Sequence, residues 1–404
     1  MTTVTVPAVW AWALAPLASF QDPRDTAFQK VRLIAPDDAL RAAAAGFREQ
    51  GAWSSELTPA SPPLQDRRHV VLAGTLAQFD AYAARAEGSA AGGDSAVGQT
   101  LRETLARAVA PPPKVHLGRH TFDFSSRIYV AGILNNTPDS FYDRGRFFGM
   151  DAALARAEEI VREGGDLIEV GGETAQQGER LAAREEIERV VPLVRELTRR
   201  FPLPVAVDTY KPDVAKAAID TGAALVNDIS GAADPAMADV IRPGGAGLVV
   251  MHLHGRPKQH YEDVPVPSMM DWVAAFLRGR TDALVAAGVP RERILVDPGL
   301  NFGKHPARDL ELMRRLPELR SLGCPIFVAT SRKDYIRDLL HLHPEELLEG
   351  TAAAVAFAAA QGANMLRVHD VQAMVRVVRM MEFFTGHRPV QAPEEGVKRG
   401  QAGH

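Results

Sequence analysis

The sequence predicts an α/β chain built on a (β/α)8 TIM barrel with an N-terminal α/β extension. Three observations carry that expectation. From about residue 122 onward, short β-branched runs alternate with amphipathic stretches of helical period. The alternation repeats eight times over roughly 270 residues, the usual extent of such a barrel. The apolar runs also end in polar or charged residues, which is where that architecture keeps its chemistry. An open doubly wound sheet shares the alternation, but eight successive strand–helix units favour closure.

The elements follow in order. Residues 1–86 are Ala-rich, irregular in pattern, and hold Trp10, Trp12 and Trp53. Residues 8–20 are largely apolar, but no basic stretch precedes them and Pro16 interrupts them, so they are expected to form a buried arm and not a secretory leader. A strand is predicted at 69–73 and a helix at 76–86. Residues 87–98 (EGSAAGGDSAVG) have the composition of a flexible loop, with a helix at 99–109. Ala110-Pro111-Pro112-Pro113 makes a stiff linker. The chain therefore divides into an extension at 1–115, a barrel at 116–386, and a polar tail at 387–404 expected to be disordered. Within the barrel, strands are predicted at 128–134, 167–170, 205–207, 225–226, 247–251, 294–296, 326–329 and 365–368. Helices are predicted at 151–163, 182–200, 212–221, 235–241, 269–287, 308–316, 344–361 and 371–384.

Composition narrows the function classes. The 404 residues are 46% apolar and 24% charged, which is ordinary globular usage. Forty-six Lys and Arg face 50 Asp and Glu, a net charge of -4, so a nucleic-acid-binding domain is not expected. A single cysteine, Cys324, excludes an internal disulfide framework and a Cys-rich zinc site, and points to a reducing compartment, the cytoplasm. No apolar run is long enough to span a bilayer.

The strand ends carry the candidate chemistry. The runs close, in order, on Asn135-Asn136-Thr137, Gly171-Gly172-Glu173, Asp208, Asn227-Asp228, His252-Leu253-His254, Asp297-Pro298-Gly299, Ser331-Arg332-Lys333 and Arg367-Val368-His369-Asp370. The loops after the seventh and eighth strands are the recurrent phosphate site of this architecture, and here they hold Arg332, Lys333, Arg367 and His369. Period-two alternation puts Arg367 and His369 on one side, which favours an anion pocket. Asp208, Asn227 and Asp297 offer two carboxylates and a carboxamide. They suit a donor-rich 2-amino-4-oxo pyrimidine edge, or else acid–base work or a divalent metal. Asp228 and Asp370 have the simpler reading of loop or helix caps. His252-x-His254 has zinc-ligand spacing, but a full ligand set is not evident.

Residues 127–385 resemble the dihydropteroate synthase family. The resemblance rests on GILNNTPDSF (132–141), GDLIEVGGE (165–173), VAVDTYKPDVAKAAIDTGAALVNDISG (205–231), LVDPGLNFGK (295–304), TSRK (330–333), GTAAAV (350–355) and RVHDV (367–371), in the family's order and spacing. It implies condensation of 6-hydroxymethyl-7,8-dihydropterin pyrophosphate with 4-aminobenzoate, giving 7,8-dihydropteroate and pyrophosphate in folate biosynthesis. By the same likeness, Asp208, Asn227, Asp297 and Lys333 contact the pterin, Asn135 ligates Mg²⁺, and Arg367 and His369 hold the pyrophosphate. Phe302 and Thr174 also line the substrates, and Phe141 and Asp143 belong to a first loop that closes over the second one. Lys333, Arg367, His369 and Asp143 are the implied catalytic residues, and a homodimer is the implied assembly. Three departures stand out. Asn136 replaces the family's Val, the first loop reads FYDRG, and the second reads ETAQQG in place of ESTRPG. The third departure leaves Ala175, Gln176 and Gln177 without the family's hydroxyl, guanidinium and proline. A pterin-binding homologue without synthase activity is the alternative. A pterin-dependent methyltransferase module is a more distant one, disfavoured by the anion pocket.

Overall fold

The computed structural model describes residues 10–14, 29–35, 37–49, 52–55, 58–59, 68–74, 76–87, 92–137, 147–175, 178–259, 263 and 266–389. Its N-terminal part contains β1 (Trp10–Leu14), β2 (Gln29–Ala35), α1 (Asp37–Glu49), β3 (Trp53–Ser54), β4 (Thr58–Pro59), β5 (Arg68–Gly74), α2 (Leu76–Glu87) and α3 (Gly92–Val109). The strands form one antiparallel sheet centred on β2 and β5. Its core joins Val31, Leu33, Val70 and Leu72 to Leu40, Phe47, Phe79, Leu101 and Leu105 from the helices.

One expectation fails here. Residues 92–98 are not loop but the first turns of α3. Their small residues serve close packing: a Cβ on Gly98 would lie 2.8 Å from Ala83 O and 3.0 Å from Ala86 Cβ, so the glycine lets α3 press against α2. Val97 is fully buried beside it. The ordered β2 and α1 likewise replace the irregular pattern expected of residues 1–86.

Next comes a hairpin, β6 (Lys114–Leu117) and β7 (His120–Asp123). The barrel follows: β8 (Tyr129–Asn135), α4 (Met150–Arg162), β9 (Leu167–Gly171), α5 (Ala183–Arg200), β10 (Val205–Asp208), α6 (Pro212–Asp220), β11 (Leu225–Asp228), α7 (Ala236–Gly244), β12 (Gly247–Met251), α8 (Met269–Ala286), β13 (Ile294–Asp297), α9 (Pro306–Arg314), β14 (Phe327–Val328), α10 (Asp334–Leu340), α11 (Leu348–Ala360), β15 (Met365–Val368) and α12 (Val371–Phe384). The eight strands β8–β15 are parallel, in the order β13-β12-β11-β10-β9-β8-β15-β14. A parallel bridge between Val296 and Ile326, with Val296 N donating to Pro325 O at 3.0 Å, brings β13 to the last strand and closes the barrel. This is the predicted (β/α)8 fold. The strand and helix positions agree with the sequence reading to within a few residues. The exceptions are α10, which was not predicted, and α11, whose predicted start at 344 is instead a separate 3-10 turn, Pro344–Glu346.

The hairpin closes the barrel's N-terminal mouth. Val115, Leu117, Phe122 and Phe124 pack with Tyr129, Ala131, Leu167, Ala206, Leu225, Val249, Leu295, Phe327 and Met365, the first inward-facing layer of the strands. The boundary expected at 115 falls inside β6, and β6 packs with the barrel. On the outside, α3 and β1 lie against the 3-10 segment Leu316–Leu322 that precedes β14. The extension therefore sits well away from the strands' C-terminal ends. Cys324, also near that segment, is buried, and burial pushes its thiol up to about 11, so it is chemically quiet.

Candidate active site

Alternation along the strands builds the site. Outward residues such as Val130, Ile168, Val207, Val250 and Val368 pack against the helices. Two positions beyond the inward layer filled by the hairpin, the strands present Ile133, Glu169, Asp208, Asn227, Met251, Asp297, Ala329 and Arg367. Every one of these except Glu169 lines a cavity of about 600 Å³ at the C-terminal end, a size suited to a small organic ligand. Register keeps the donors level: Asn135 is paired with Gly171, Gly171 with Asp208, and Asp208 with Asn227.

The structure brings most of the predicted residues together. Asn135, Thr174, Asp208, Asn227, Asp297, Phe302, Lys333, Arg367 and His369 all line this one cavity. Phe141 and Asp143 lie outside the described residues, as do Gln176 and Gln177.

One wall is acceptor-rich. Asn227 is buried and its Oδ1 has no hydrogen-bond partner, an acceptor aimed at a ligand. Asp297 is buried and its Oδ1 accepts from Gly299 N at 2.7 Å. That tight turn requires glycine: Gly299 has φ +68, and a Cβ there would lie 2.0 Å from His252 O. Burial raises the Asp297 carboxyl to about 6, against the opposing pull of the Gly299 N–H and the nearby Lys333, Lys304 and Arg367. Burial likewise raises Asp208, and Glu169 adds repulsion that the Arg367 guanidinium only partly offsets.

The cations of the cavity come from β15 and the loop after β14. Arg367 Nε is hydrogen-bonded to Glu169, and its Nη2 donates to Asp208 Oδ2 at 3.0 Å. Its charge is thus pinned between β9 and β10. Lys333 Nζ sits 4.7 Å from the Phe302 ring centroid, a cation–π contact that fixes both at the cavity rim. Burial lowers the Lys333 pKa, and the Arg367 charge adds to that. His369 Nδ1 lies 3.1 Å from Ser331 Oγ. Burial first, then Arg367, Arg332 and Lys333, hold the His369 imidazole well below its ordinary pKa. His369 is therefore a neutral hydrogen-bonding group, and the positive charge comes from Arg367 and Lys333.

Some expectations need revision. The guanidinium of Arg332 donates to both oxygens of Asp370 at 2.7 and 2.9 Å, tying the β14 loop to the β15 loop. Asp370, read as a cap, makes no side-chain cap bond to α12 and serves as that ion-pair partner. Asp228 does cap its loop, accepting from Ser230 N and Oγ. Asn136, the first departure from the family pattern, is buried with its amide engaged: Nδ2 donates to Arg189 O and Oδ1 accepts from Gly149 N. It ties the start of α4 to the middle of α5 and is not directed at a ligand. His252 is buried edge-on between Trp272 and Phe276, and among the described residues no cluster of three His, Cys, Asp or Glu could hold a metal.

Sequence reasoning missed two groups. Glu169 shares the inward parity of Leu167, which was a usable signal, but its role emerges only with Arg367 beside it. Glu173 accepts from Leu181 N at 2.6 Å, Tyr210 Oη at 2.9 Å and Lys211 Nζ at 2.8 Å, and Lys211 also pairs with Glu186. Burial alone would raise the Glu173 carboxyl; Lys211, the Leu181 N–H and Tyr210 reverse this and lower it. This network anchors the loop that carries Thr174.

The model of the pterin binding enzyme family matches residues 131–369. A dihydropteroate synthase from Synechocystis is 36% identical over 274 residues, 67% of this chain and 95% of the relative. A Mycobacterium tuberculosis protein named inactive dihydropteroate synthase 2 is 41% identical over 269 residues, 65% of this chain and 85% of the relative. Among solved structures, the Yersinia pestis dihydropteroate synthase with a sulfonamide drug complex superposes with a TM-score of 0.65 at 35% identity, covering 68% of this chain and 100% of that one.

Proposed function

The chain belongs to the pterin-binding enzyme family, and on that premise we propose that it acts as a dihydropteroate synthase, a transferase joining 6-hydroxymethyl-7,8-dihydropterin pyrophosphate to 4-aminobenzoate. The single observation that carries this reading is the make-up of one cavity: the acceptors Asp208, Asn227 and Asp297 at the ends of β10, β11 and β13 line it together with Arg367 and His369 from β15 and Lys333 from the loop after β14. A pterin offers a donor-rich edge to the first set and a pyrophosphate to the second. In the reaction the C–O bond between the methylene carbon and pyrophosphate breaks. The arylamine nitrogen forms the new C–N bond and loses a proton. Arg367 and His369 stabilise the departing anion, Lys333 contacts the pterin, and Asp208 and Asp297 favour the electron-poor pterin that the anion leaves. No side-chain nucleophile is needed.

Mg²⁺ fits this donor set. Asn135 contributes a neutral hard oxygen donor at the same cavity, and Mg²⁺ commonly takes one or two protein oxygens and fills its remaining positions from phosphate and water. When bound, the ion supplies Lewis-acid neutralisation of the pyrophosphate. The assembly we propose is a homodimer. Helices α10, α11 and α12 expose Leu339, Leu340, Phe357, Met380, Phe383 and Phe384, an apolar surface that a second copy would cover. The extension at 1–115 is assigned a packing role, and the cytoplasm is the proposed compartment. No helix among the described residues is long and apolar enough to cross a membrane.

The test is a steady-state assay for pyrophosphate release that requires both substrates and Mg²⁺; absence of release at saturation sinks the synthase reading. A second reading, pterin binding without condensation, is favoured by the 41% identity to the M. tuberculosis protein named inactive and by Ala175, Gln176 and Gln177 in the second loop. It predicts pterin pyrophosphate binding without turnover, and a gain of turnover on Gln176→Arg with Gln177→Pro.

A further inference from the structure

Lys258, in the loop after β12, is left unused by the chemistry above. Its Nζ donates to Thr174 O at 3.1 Å, and its own carbonyl accepts from Gly178 N at 3.4 Å. The two bonds run in opposite directions between the same two loops. A Cβ on Gly178 would lie 4.0 Å from Lys258 Nζ, so the ammonium sits between the residues that flank 176 and 177. Lys258 is half-buried and adopts φ +69, a left-handed conformation uncommon outside glycine. Thr174 and Ala175, on the loop it grips, line the cavity.

The two sides of that loop are held independently. Glu173 bonds Leu181, Tyr210 and Lys211 on the strand side. Lys258 supplies the hold from across the barrel mouth. The pterin acceptors Asp208, Asn227 and Asp297 stand on strand ends that this clasp does not touch. We propose that Lys258 is a positioning residue for the second substrate: it fixes Thr174 and Ala175 at the part of the cavity wall that the arylamine meets. The proposal rests on the condensation reading above.

Lys258→Met keeps the length of the stem and removes the ammonium. It is expected to raise KM for 4-aminobenzoate about tenfold, the scale of one charge-assisted hydrogen bond, and to leave KM for pterin pyrophosphate within about twofold. Lys258→Arg restores a donor and should recover most of the loss. Unchanged KM for 4-aminobenzoate, or equal rises in both constants, overturns the proposal. Amide hydrogen exchange gives a readout apart from turnover: the peptide carrying Thr174 and Gly178 exchanges faster in Lys258→Met, and peptides of β10 and β11 do not change. A wild type that releases no pyrophosphate defeats the functional reading. The exchange arm still decides the clasp, and equal exchange in wild type and variant overturns it.

Discussion

At the scale of single residues, the informative groups are charges held in unusual places. Asp297 is buried with a carboxyl raised to about 6, so the folded protein binds that proton more readily than the unfolded chain does. The sign follows: this group's contribution to stability is lost as pH rises from about 4 through 6. Pterin binding runs the other way, because a donor-rich edge needs the ionised acceptor. Pterin affinity is expected to climb as pH rises through 6 and 7, where Asp297 and then Asp208 ionise, with the lower part of the limb absent in Asp297→Asn; titration calorimetry across that range checks it, and a flat wild-type profile would sink it. The Arg332–Asp370 pair gives a second prediction. Arg332 is 8% exposed, so Asp370→Ala leaves a buried guanidinium without its bidentate partner. The expected loss is about 3–5 kcal/mol, read by denaturant unfolding. Asp208, Asn227, Asp297 and Arg367 were legible in the sequence because strand-end position and inward parity are local properties. Glu169 and Lys258 were not, because each takes its meaning from a partner on another strand or loop.

At the scale of elements, the barrel strands and most of its helices could be read from periodicity, and the parts that could not be read share a cause. The hairpin β6–β7 is too short for a periodic signal, and its purpose depends on a barrel mouth that exists only after folding. Phe122 and Phe124 meet Tyr129 with ring centroids 4.9 and 5.3 Å away, filling that mouth. Phe122→Ala is therefore expected to cost about 3–5 kcal/mol through a cavity under the barrel. Both KM values should stay the same in the fraction that remains folded, because the plug and the site occupy opposite ends of the strands. A thermal melt paired with steady-state kinetics separates the two effects, and a change in KM without a loss of stability would contradict the assignment. The start of α3, residues 92–98, was hidden for a different reason. Its glycines lower intrinsic helix propensity, and only the tertiary contact of Gly98 with α2 compensates.

At the scale of the whole molecule, the near-neutral charge conceals a strong local concentration, with buried carboxylates and cations gathered in one cavity. The exterior carries a second asymmetry. Apolar exposure gathers on α10, α11 and α12, whereas α5 is laced with ion pairs such as Arg184–Glu188 and Arg200–Glu196. The sequence LEGTAAAVAFAAA in α11 has small residues on nearly every side, which lets another helix approach closely. A homodimer through this face would bury Leu340, 53% exposed, and Phe384, 65% exposed, and leave each cavity open at its own strand ends. Leu340→Glu with Phe384→Asp places two charges on that surface without touching any residue of the site. Sedimentation analysis is expected to show a dimer for the wild type and a monomer for the variant, with pterin binding retained. A wild type that sediments as a monomer at micromolar concentration would remove the dimer from the proposal. A variant that stays dimeric would move the interface elsewhere, and the Trp-bearing extension would then be the surface to probe.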